Sequence, residues 1–144
     1  MDITLADTDT QIAACFPVMA QLRPHLVEAD FVARVLVMRA QGFQLASLSD
    51  GGQVRAVAAF RLMEKLFSGR ILYLEDLVTD SVFRSQGFGA QLLDWLCDYG
   101  RAHQCTLLKL NSAVQQADAH RFYFARRMRI ASYHFILPLD GEAR

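Results

Sequence analysis

An arginine and two glycines stand at the start of an apolar helical pattern, in the segment Val82–Leu96 (VFRSQGFGAQLLDWL). Arg84 is followed by Gly87 and Gly89, and each glycine costs a helix about 1 kcal/mol relative to alanine. The first N–H groups of a helix have no partner within the helix and attract anions. Glycines lack a Cβ atom, so a phosphate group can approach these amides closely, and Arg84 adds positive charge. The spacing therefore indicates a pyrophosphate-binding turn, with a glycine pair that only relieves a tight loop as the structural alternative.

Other sites for nucleotides and metals do not fit the sequence. A dinucleotide fold would carry GxGxxG after its first strand, and a P-loop would carry Gly-Lys-Ser/Thr, but both are absent. The four histidines and three cysteines form neither HExxH nor CxxC spacing. We therefore expect no metal site.

The composition describes a globular chain with a full core. Its 144 residues are 53% hydrophobic, which predicts one domain spanning residues 1–144. Fifteen basic and fifteen acidic residues cancel, which argues against a nucleic-acid partner. The N-terminus is polar and no apolar run reaches the roughly 20 residues of a membrane span, so we expect no signal peptide and no membrane partner. Unpaired cysteines predict reduced thiols and a cytoplasmic location.

The apolar pattern alternates between strand and helix periods. Two helices precede three strands, the first two joined at Asp50-Gly51-Gly52, and a strand–helix–strand crossover follows. We expect an α+β fold whose mixed, mostly antiparallel central sheet has helices on both faces. The predicted elements are strand Asp2–Ala6, a helix capped by Asp9 or Thr10 and ended by Pro24, helix Glu28–Gln41, strands Phe43–Leu48, Val54–Met63 and Ile71–Thr79, a helix from Gly87, strand Thr106–Leu110, helix Ala117–Met128 and strand Ile130–Leu137.

The run Arg84-Ser85-Gln86-Gly87-Phe88-Gly89-Ala90 resembles the acyl-CoA signature of the GNAT acetyltransferase superfamily, Gln/Arg-x-x-Gly-x-Gly/Ala. The longer segment ILYLEDLVTDSVFRSQGFGAQLL is similar to diamine and polyamine N-acetyltransferases. AHRFYFARRM resembles the late helix of the family, in which Ala119 precedes Tyr123 by four residues. The sequence departs from the family where Met128-Arg129-Ile130 replaces Gly-Phe and where Gln116 replaces an Asn.

The resemblance implies that acetyl-CoA binds along the central strand and at the turn after it, with no metal. The implied cofactor-binding residues are Leu77, Val78, Thr79, Arg84, Ser85, Gln86, Gly87, Phe88, Gly89, Ala90 and Gln116. The backbone of residues 77–79 would pair with the pantetheine arm, and a freed N–H near Leu77 would stabilise the oxyanion. The alternative is that these are ordinary buried strand residues.

The resemblance also suggests two catalytic groups. Strict alternation would put Tyr73, Glu75 and Leu77 on one strand face, which by family analogy looks into the acceptor cleft, and Asp76 on the other. An attacking amine must lose a proton, for which Glu75 is the favoured base and Asp76 the second candidate. Tyr123 would protonate the CoA thiolate. The structural alternatives are carboxylates satisfied by loop amides and, for Tyr123, core packing.

Taken together, these features predict an acetyl-CoA-dependent N-acetyltransferase that acts directly in a ternary complex. The expected acceptor is a primary amine of a small molecule, for example a diamine or polyamine, bound against the segment Leu22–Met38. The alternatives are a non-catalytic acyl-CoA sensor, an acetyltransferase of a protein amine and, against the neutral charge, one acting on aminoacyl-tRNA. The family resemblance also makes a homodimer an option.

Overall fold

The computed structural model describes residues 1–143, which divide into one compact unit, Met1–Leu110, and a second that begins at Asn111. The strands are β1 (Asp2–Leu5), β2 (Phe43–Asp50), β3 (Gln53–Lys65), β4 (Gly69–Thr79) and β5 (Leu107–Leu110). The helices are α1 (Asp9–Leu22), α2 (Glu28–Arg39), α3 (Phe88–Ala102) and α4 (Ala117–Ala125), with a 3-10 turn at Ser81–Phe83. The single-domain organisation stays a prediction.

The five strands form one sheet in chain order, β1-β2-β3-β4-β5. The first three pairings are antiparallel, and β4 runs parallel to β5, with Tyr73 opposite Lys109. Gly51 and Gly52 both take positive φ angles in the turn between β2 and β3, as a tight hairpin requires. The predicted α+β class with a mostly antiparallel sheet is confirmed.

Alternation along the strands gives the sheet two apolar faces, and each face packs against different helices. The face that carries Val57, Ala59 and Val78 packs against the buried side chains of α1 and α2. On the opposite face Phe60 meets Tyr99 of α3 edge to face, and Leu72 lies beneath Gly100. Leu92 and Leu96 of α3 are fully buried, and each such side chain contributes about 1.5–3 kcal/mol. Helices therefore cover both faces of the sheet, as expected.

The beginning of α1 differs from the prediction. The N-cap is Thr8 rather than Asp9 or Thr10, because Thr8 and Gln11 form a capping box in which the threonine Oγ1 accepts the Gln11 N–H and the glutamine side chain accepts the Thr8 N–H. α2 ends at Arg39, and Gly42 follows with a φ of +94°. These caps set the two helices against the sheet.

The second unit contains α4 and a long irregular segment. α4 ends at Ala125, three residues before the predicted boundary, and Arg127 follows with a left-handed φ of 63°. The predicted strand Ile130–Leu137 is wrong, because none of residues 111–143 forms a strand. Alternating apolar residues predict a side-chain pattern, whereas a strand also requires a hydrogen-bonding partner.

Within residues 1–143, no helix has both the length and the hydropathy that crossing a bilayer demands.

Candidate active site

The turn between β4 and α3 is exposed to solvent. Asp80 begins the turn, and its Oδ1 accepts the N–H of Val82 at 3.3 Å. The four residues Arg84–Gly87 are exposed, while Phe88 is buried and anchors the first turn of α3. Gly89 and Ala90 follow within that first turn and are half-buried. The predicted phosphate turn thus stands at the N-terminus of a 15-residue helix.

Two residues of this turn adopt left-handed backbone conformations. Ser85 has a φ of 66°, and Gly87, the N-cap of α3, has a φ of +84°. A Cβ atom on Gly87 would approach no atom closer than Gln91 Nε2, at 3.9 Å. The positive φ of Gly87 therefore supports the structural alternative, a glycine that relieves a tight loop, beside the space that it leaves for a ligand. Exposed amides, a helix N-terminus and the charge of Arg84 together fit a diphosphate group.

The end of β4 is separated from β5. The parallel ladder joins Ile71–Leu74 to Leu107–Leu110, and within the unit Met1–Leu110 the following residues of β4 pair with β3 alone. Leu77 lies opposite Ala58, with Val78 buried and Leu77 and Thr79 half-buried. The side chains are those of an ordinary strand, but this edge of the backbone has no partner strand in that unit.

A bulge at Glu75 overturns the predicted alternation. In β3, Ala59 pairs with Asp76 and Phe60 with Leu74, so Glu75 has no opposite residue. After the bulge, Leu77 lies on the same face of the sheet as Leu74, the face that packs against α3. Glu75 and Asp76 both lie on the opposite face, which packs against α1 and α2. The expectations that Tyr73, Glu75 and Leu77 share a face and that Glu75 and Asp76 lie on opposite faces are therefore wrong.

Each of the two carboxylates is paired with an arginine. Glu75 Oε1 accepts a hydrogen bond from Arg61 Nε at 2.6 Å, and the Arg61 guanidinium also donates to the carbonyl of Gln41. Asp76 Oδ1 accepts from the Nε of Arg23, the C-cap of α1, at 3.1 Å, and forms an ion pair with the same guanidinium. These pairs offset the charge of both carboxylates and hold them in place.

The last turn of α1 also holds the beginning of the phosphate turn. Gln21 Nε2 donates to Asp80 Oδ1 at 3.2 Å, and Gln21 Oε1 accepts the Ser81 N–H at 2.8 Å. One side chain therefore bridges a helix to two successive residues beyond β4. Sequence analysis missed Gln21, Arg23 and Arg61, because no local pattern reveals contacts across 14 to 60 residues.

The predicted acid and Gln116 belong to the second unit. Tyr123 is half-buried on α4, stands edge to face with Phe122 at 5.5 Å, and its burial raises the pKa of its phenol. Gln116 is the exposed N-cap of α4. His120 Nε2 donates to the carbonyl of Ala113 at 2.9 Å, which favours a structural role for this histidine. Among residues 1–143 no group of three or more potential metal ligands occurs.

Comparison with known proteins gives consistent matches. The profile of the acetyltransferase (GNAT) family matches residues 10–128. The chain is 31% identical over 129 residues to the uncharacterized N-acetyltransferase YhdJ of Bacillus subtilis (strain 168), covering 88% of this chain and 91% of the relative.

Two solved structures show the same fold at low sequence identity. Ribosomal-protein-alanine N-acetyltransferase from Brucella melitensis biovar Abortus 2308 aligns with a TM-score of 0.83 and 15% identity, over 96% of this chain and 100% of that one. Aminoglycoside N-acetyltransferase AAC(6')-Iy in complex with CoA aligns with a TM-score of 0.85 and 14% identity, over 96% and 94% of the two chains.

Proposed function

Since the chain belongs to the GNAT acetyltransferase family, we propose that it transfers an acetyl group from acetyl-CoA to the primary amine of a small molecule. The observation that carries this proposal is the exposed turn Arg84–Gly87 at the N-terminus of α3, with left-handed backbone at Ser85 and Gly87. A related fold is bound to CoA in the aminoglycoside N-acetyltransferase.

We assign the cofactor to two stretches of backbone and to one further residue. The amides of Arg84–Ala90 bind the diphosphate, and the free edge of Leu77–Thr79 binds the pantetheine arm by strand addition. The family resemblance also assigns Gln116 to cofactor binding. Acetyl-CoA supplies an activated acetyl thioester, and the N–H of Leu77 stabilises the charge that develops on its carbonyl oxygen.

Glu75 removes a proton from the acceptor amine, directly or through a water molecule. Its Oε1 is engaged by Arg61, which leaves Oε2 to accept the proton. Asp76, the second candidate, is held by Arg23 on the same side of the sheet and orients the acceptor. The paired arginines offset both carboxylates, so a polycation gains no extra attraction from them, and diamines and polyamines compete with other small amines on equal terms.

Tyr123 supplies the proton that the leaving thiolate requires. Burial raises the pKa of this phenol above the ordinary tyrosine value of about 10, so the proton is retained throughout the neutral and mildly alkaline range. The alkaline limb of kcat should therefore lie at higher pH than an exposed tyrosine would give. Tyr123→Phe should lower kcat and leave the Kd of acetyl-CoA unchanged. An unchanged kcat would remove Tyr123 from the mechanism.

The deciding experiment measures release of free thiol from acetyl-CoA with a panel of amines. The panel contains simple primary amines, a diamine, spermidine, an aminoglycoside and a peptide with a free N-terminus. Acceptor-dependent thiol with the small amines supports the proposal. Thiol only with the peptide would assign a protein acceptor, and tight acetyl-CoA binding without turnover would identify a sensor.

A further inference from the structure

Arg55 lies at a second irregularity of the sheet, beside the phosphate turn. Between β2 and β3 the register shifts, so that Leu48 pairs with Ala56 and Ser49 with Val54. Arg55 therefore has no opposite residue in β2. On the β4 side of β3, the Arg55 carbonyl accepts the N–H of Asp80 at 2.8 Å. This hydrogen bond connects the bulge to the residue that begins the turn.

The guanidinium of Arg55 lies against that turn without an acidic partner. Its Cζ atom stands 3.7 Å from the centroid of the Phe83 ring, the residue directly before Arg84. Its Nε atom is buried and makes no hydrogen bond to any described residue. No carboxylate among residues 1–143 forms an ion pair with it within 4.0 Å. Arg55 is half-buried, and among residues 1–143 its guanidinium contacts the Phe83 ring but pairs with no carboxylate, so it is available to an anionic ligand.

Arg70, at the other end of β4, provides the contrast. Its Nε atom is also buried without a hydrogen-bond partner, but its Nη1 stands 3.7 Å from Glu64 Oε1. The Asp80 N–H reaches the Arg55 carbonyl, but the Asp80 carboxylate is engaged elsewhere, because its Oδ1 accepts hydrogen bonds from Gln21 and Val82. Arg70 thus has a carboxylate partner, whereas Arg55 has none among residues 1–143 and lies beside the turn that fits a phosphate group.

We propose that Arg55 is a further ligand for a phosphate group of acetyl-CoA, acting from β3 alongside the amides of the Arg84–Ala90 turn. This inference rests on the proposed function. The ring of Phe83 orients the guanidinium, and the planar fork presents two N–H groups to phosphate oxygens.

The test compares Arg55→Met, Arg55→Lys and the matched control Arg70→Met. Calorimetry with acetyl-CoA should show binding weakened by about tenfold to a hundredfold in Arg55→Met, as for a lost charge-assisted hydrogen bond. Arg55→Lys should fall between Arg55→Met and the native protein, because it keeps the charge and loses the fork. Arg70→Met should bind within about twofold of the native protein.

Two further ligands separate a phosphate contact from a general disturbance of the fold. Acetylpantetheine carries no phosphate group, so its KM should be the same in Arg55→Met and in the native protein. 3′-Dephospho-acetyl-CoA identifies the group: the loss disappears if Arg55 binds the 3′-phosphate and persists if it binds the diphosphate. Equal acetyl-CoA binding by Arg55→Met and the native protein, or an equal loss with acetylpantetheine, would overturn the inference alone. Failure of the native protein to bind acetyl-CoA would overturn the proposed function as well.

Discussion

β4 begins at a hairpin tip and ends at the phosphate turn, and its two ends are built differently. At the beginning, pairing with β3 runs from Lys65 opposite Gly69 to Phe60 opposite Leu74 without a register shift. At the end, a bulge at Glu75 interrupts the ladder between β3 and β4. A second bulge, at Arg55, interrupts the neighbouring ladder between β2 and β3. Regular pairing keeps the side-chain alternation unbroken, whereas bulges are local features that re-aim side chains and occur near active sites.

The ion pairs at the two ends of β4 also differ, in their exposure and in the distance between their charged atoms. Near the hairpin tip, Glu64 and Arg70 form a loose pair at 3.7 Å, and the Glu64 side chain is 71% exposed. At the other end, Glu75 is 26% exposed and its oxygen is 2.6 Å from Arg61 Nε. An exposed pair contributes at most about 1 kcal/mol, but a partly buried pair fixes the orientation of a carboxylate. The comparison predicts that equivalent substitutions have unequal effects on catalysis.

The largest difference is expected between Glu75→Gln and Glu64→Gln. Glutamine can still accept the Arg61 hydrogen bond, so Glu75→Gln preserves the local structure and removes only the proton acceptor. We expect kcat to fall by about 100-fold or more, with the Kd of acetyl-CoA unchanged. Glu64→Gln should leave both unchanged. Steady-state kinetics measures kcat, and calorimetry measures the Kd of acetyl-CoA. Full activity of Glu75→Gln would show that Glu75 is not the base. Asp76 would then be the candidate, and Asp76→Asn would test it.

A second difference is expected between two glycines. Gly87 and Gly69 have φ angles of +84° and +70°, and neither has an atom nearer than 3.9 Å to a Cβ position. Alanine at either site should therefore lower the free energy of unfolding by about 1–2 kcal/mol, through the left-handed conformation alone. Only Gly87→Ala should also weaken acetyl-CoA binding, by about tenfold, because its methyl group occupies the phosphate approach. Equal acetyl-CoA affinities in the two variants would argue against the turn as the phosphate site.

The regular end of β4 is also the part that the sequence predicts well. The hairpin, the antiparallel order and the parallel return through α3 follow from apolar periodicity and turn residues. The helix start at Gly87 also follows from the local sequence, whereas phosphate binding by the turn before it stays a prediction. Local sequence patterns predict these elements correctly because each element depends on residues that are close in the chain.

The irregular end could be predicted only in part. Glu75 and Asp76 were visible as charges in an apolar strand, but the bulge that brings them to one side depends on the register with β3. Arg23, Arg61 and Gln21 act through contacts between distant elements. The strand expected at Ile130–Leu137 failed for a related reason, since alternation of apolar residues does not show whether a hydrogen-bonding partner is present, and none of residues 111–143 forms a strand.

A smaller difference should separate Gln21→Met from Gln104→Met. Gln21 holds Asp80 and Ser81 with two hydrogen bonds, one to a carboxylate oxygen and one from a backbone N–H, whereas Gln104 Nε2 donates to the nearby carbonyl of Ala102. Loss of the Gln21 bonds should raise the KM of acetyl-CoA by about threefold to tenfold, with little change in kcat, because the turn is less well positioned. Gln104→Met should keep the native KM. A lower kcat with an unchanged KM would show that α1 acts on the acceptor side instead.

The smallest effect is expected at the hairpin tip itself. The side chain of Phe67 is 96% exposed, and its ring centroid lies 5.7 Å from Lys109 Nζ. A cation–π contact at such an exposed site contributes at most about 1 kcal/mol, and the exposed ring gains no burial energy. Phe67→Ser should therefore change the free energy of unfolding by less than about 1 kcal/mol and leave the KM of acetyl-CoA and kcat unchanged. Urea unfolding and steady-state kinetics on one preparation would measure all three quantities. A fall in kcat would show that the hairpin tip communicates with the other end of β4, and the contrast between the two ends would no longer hold.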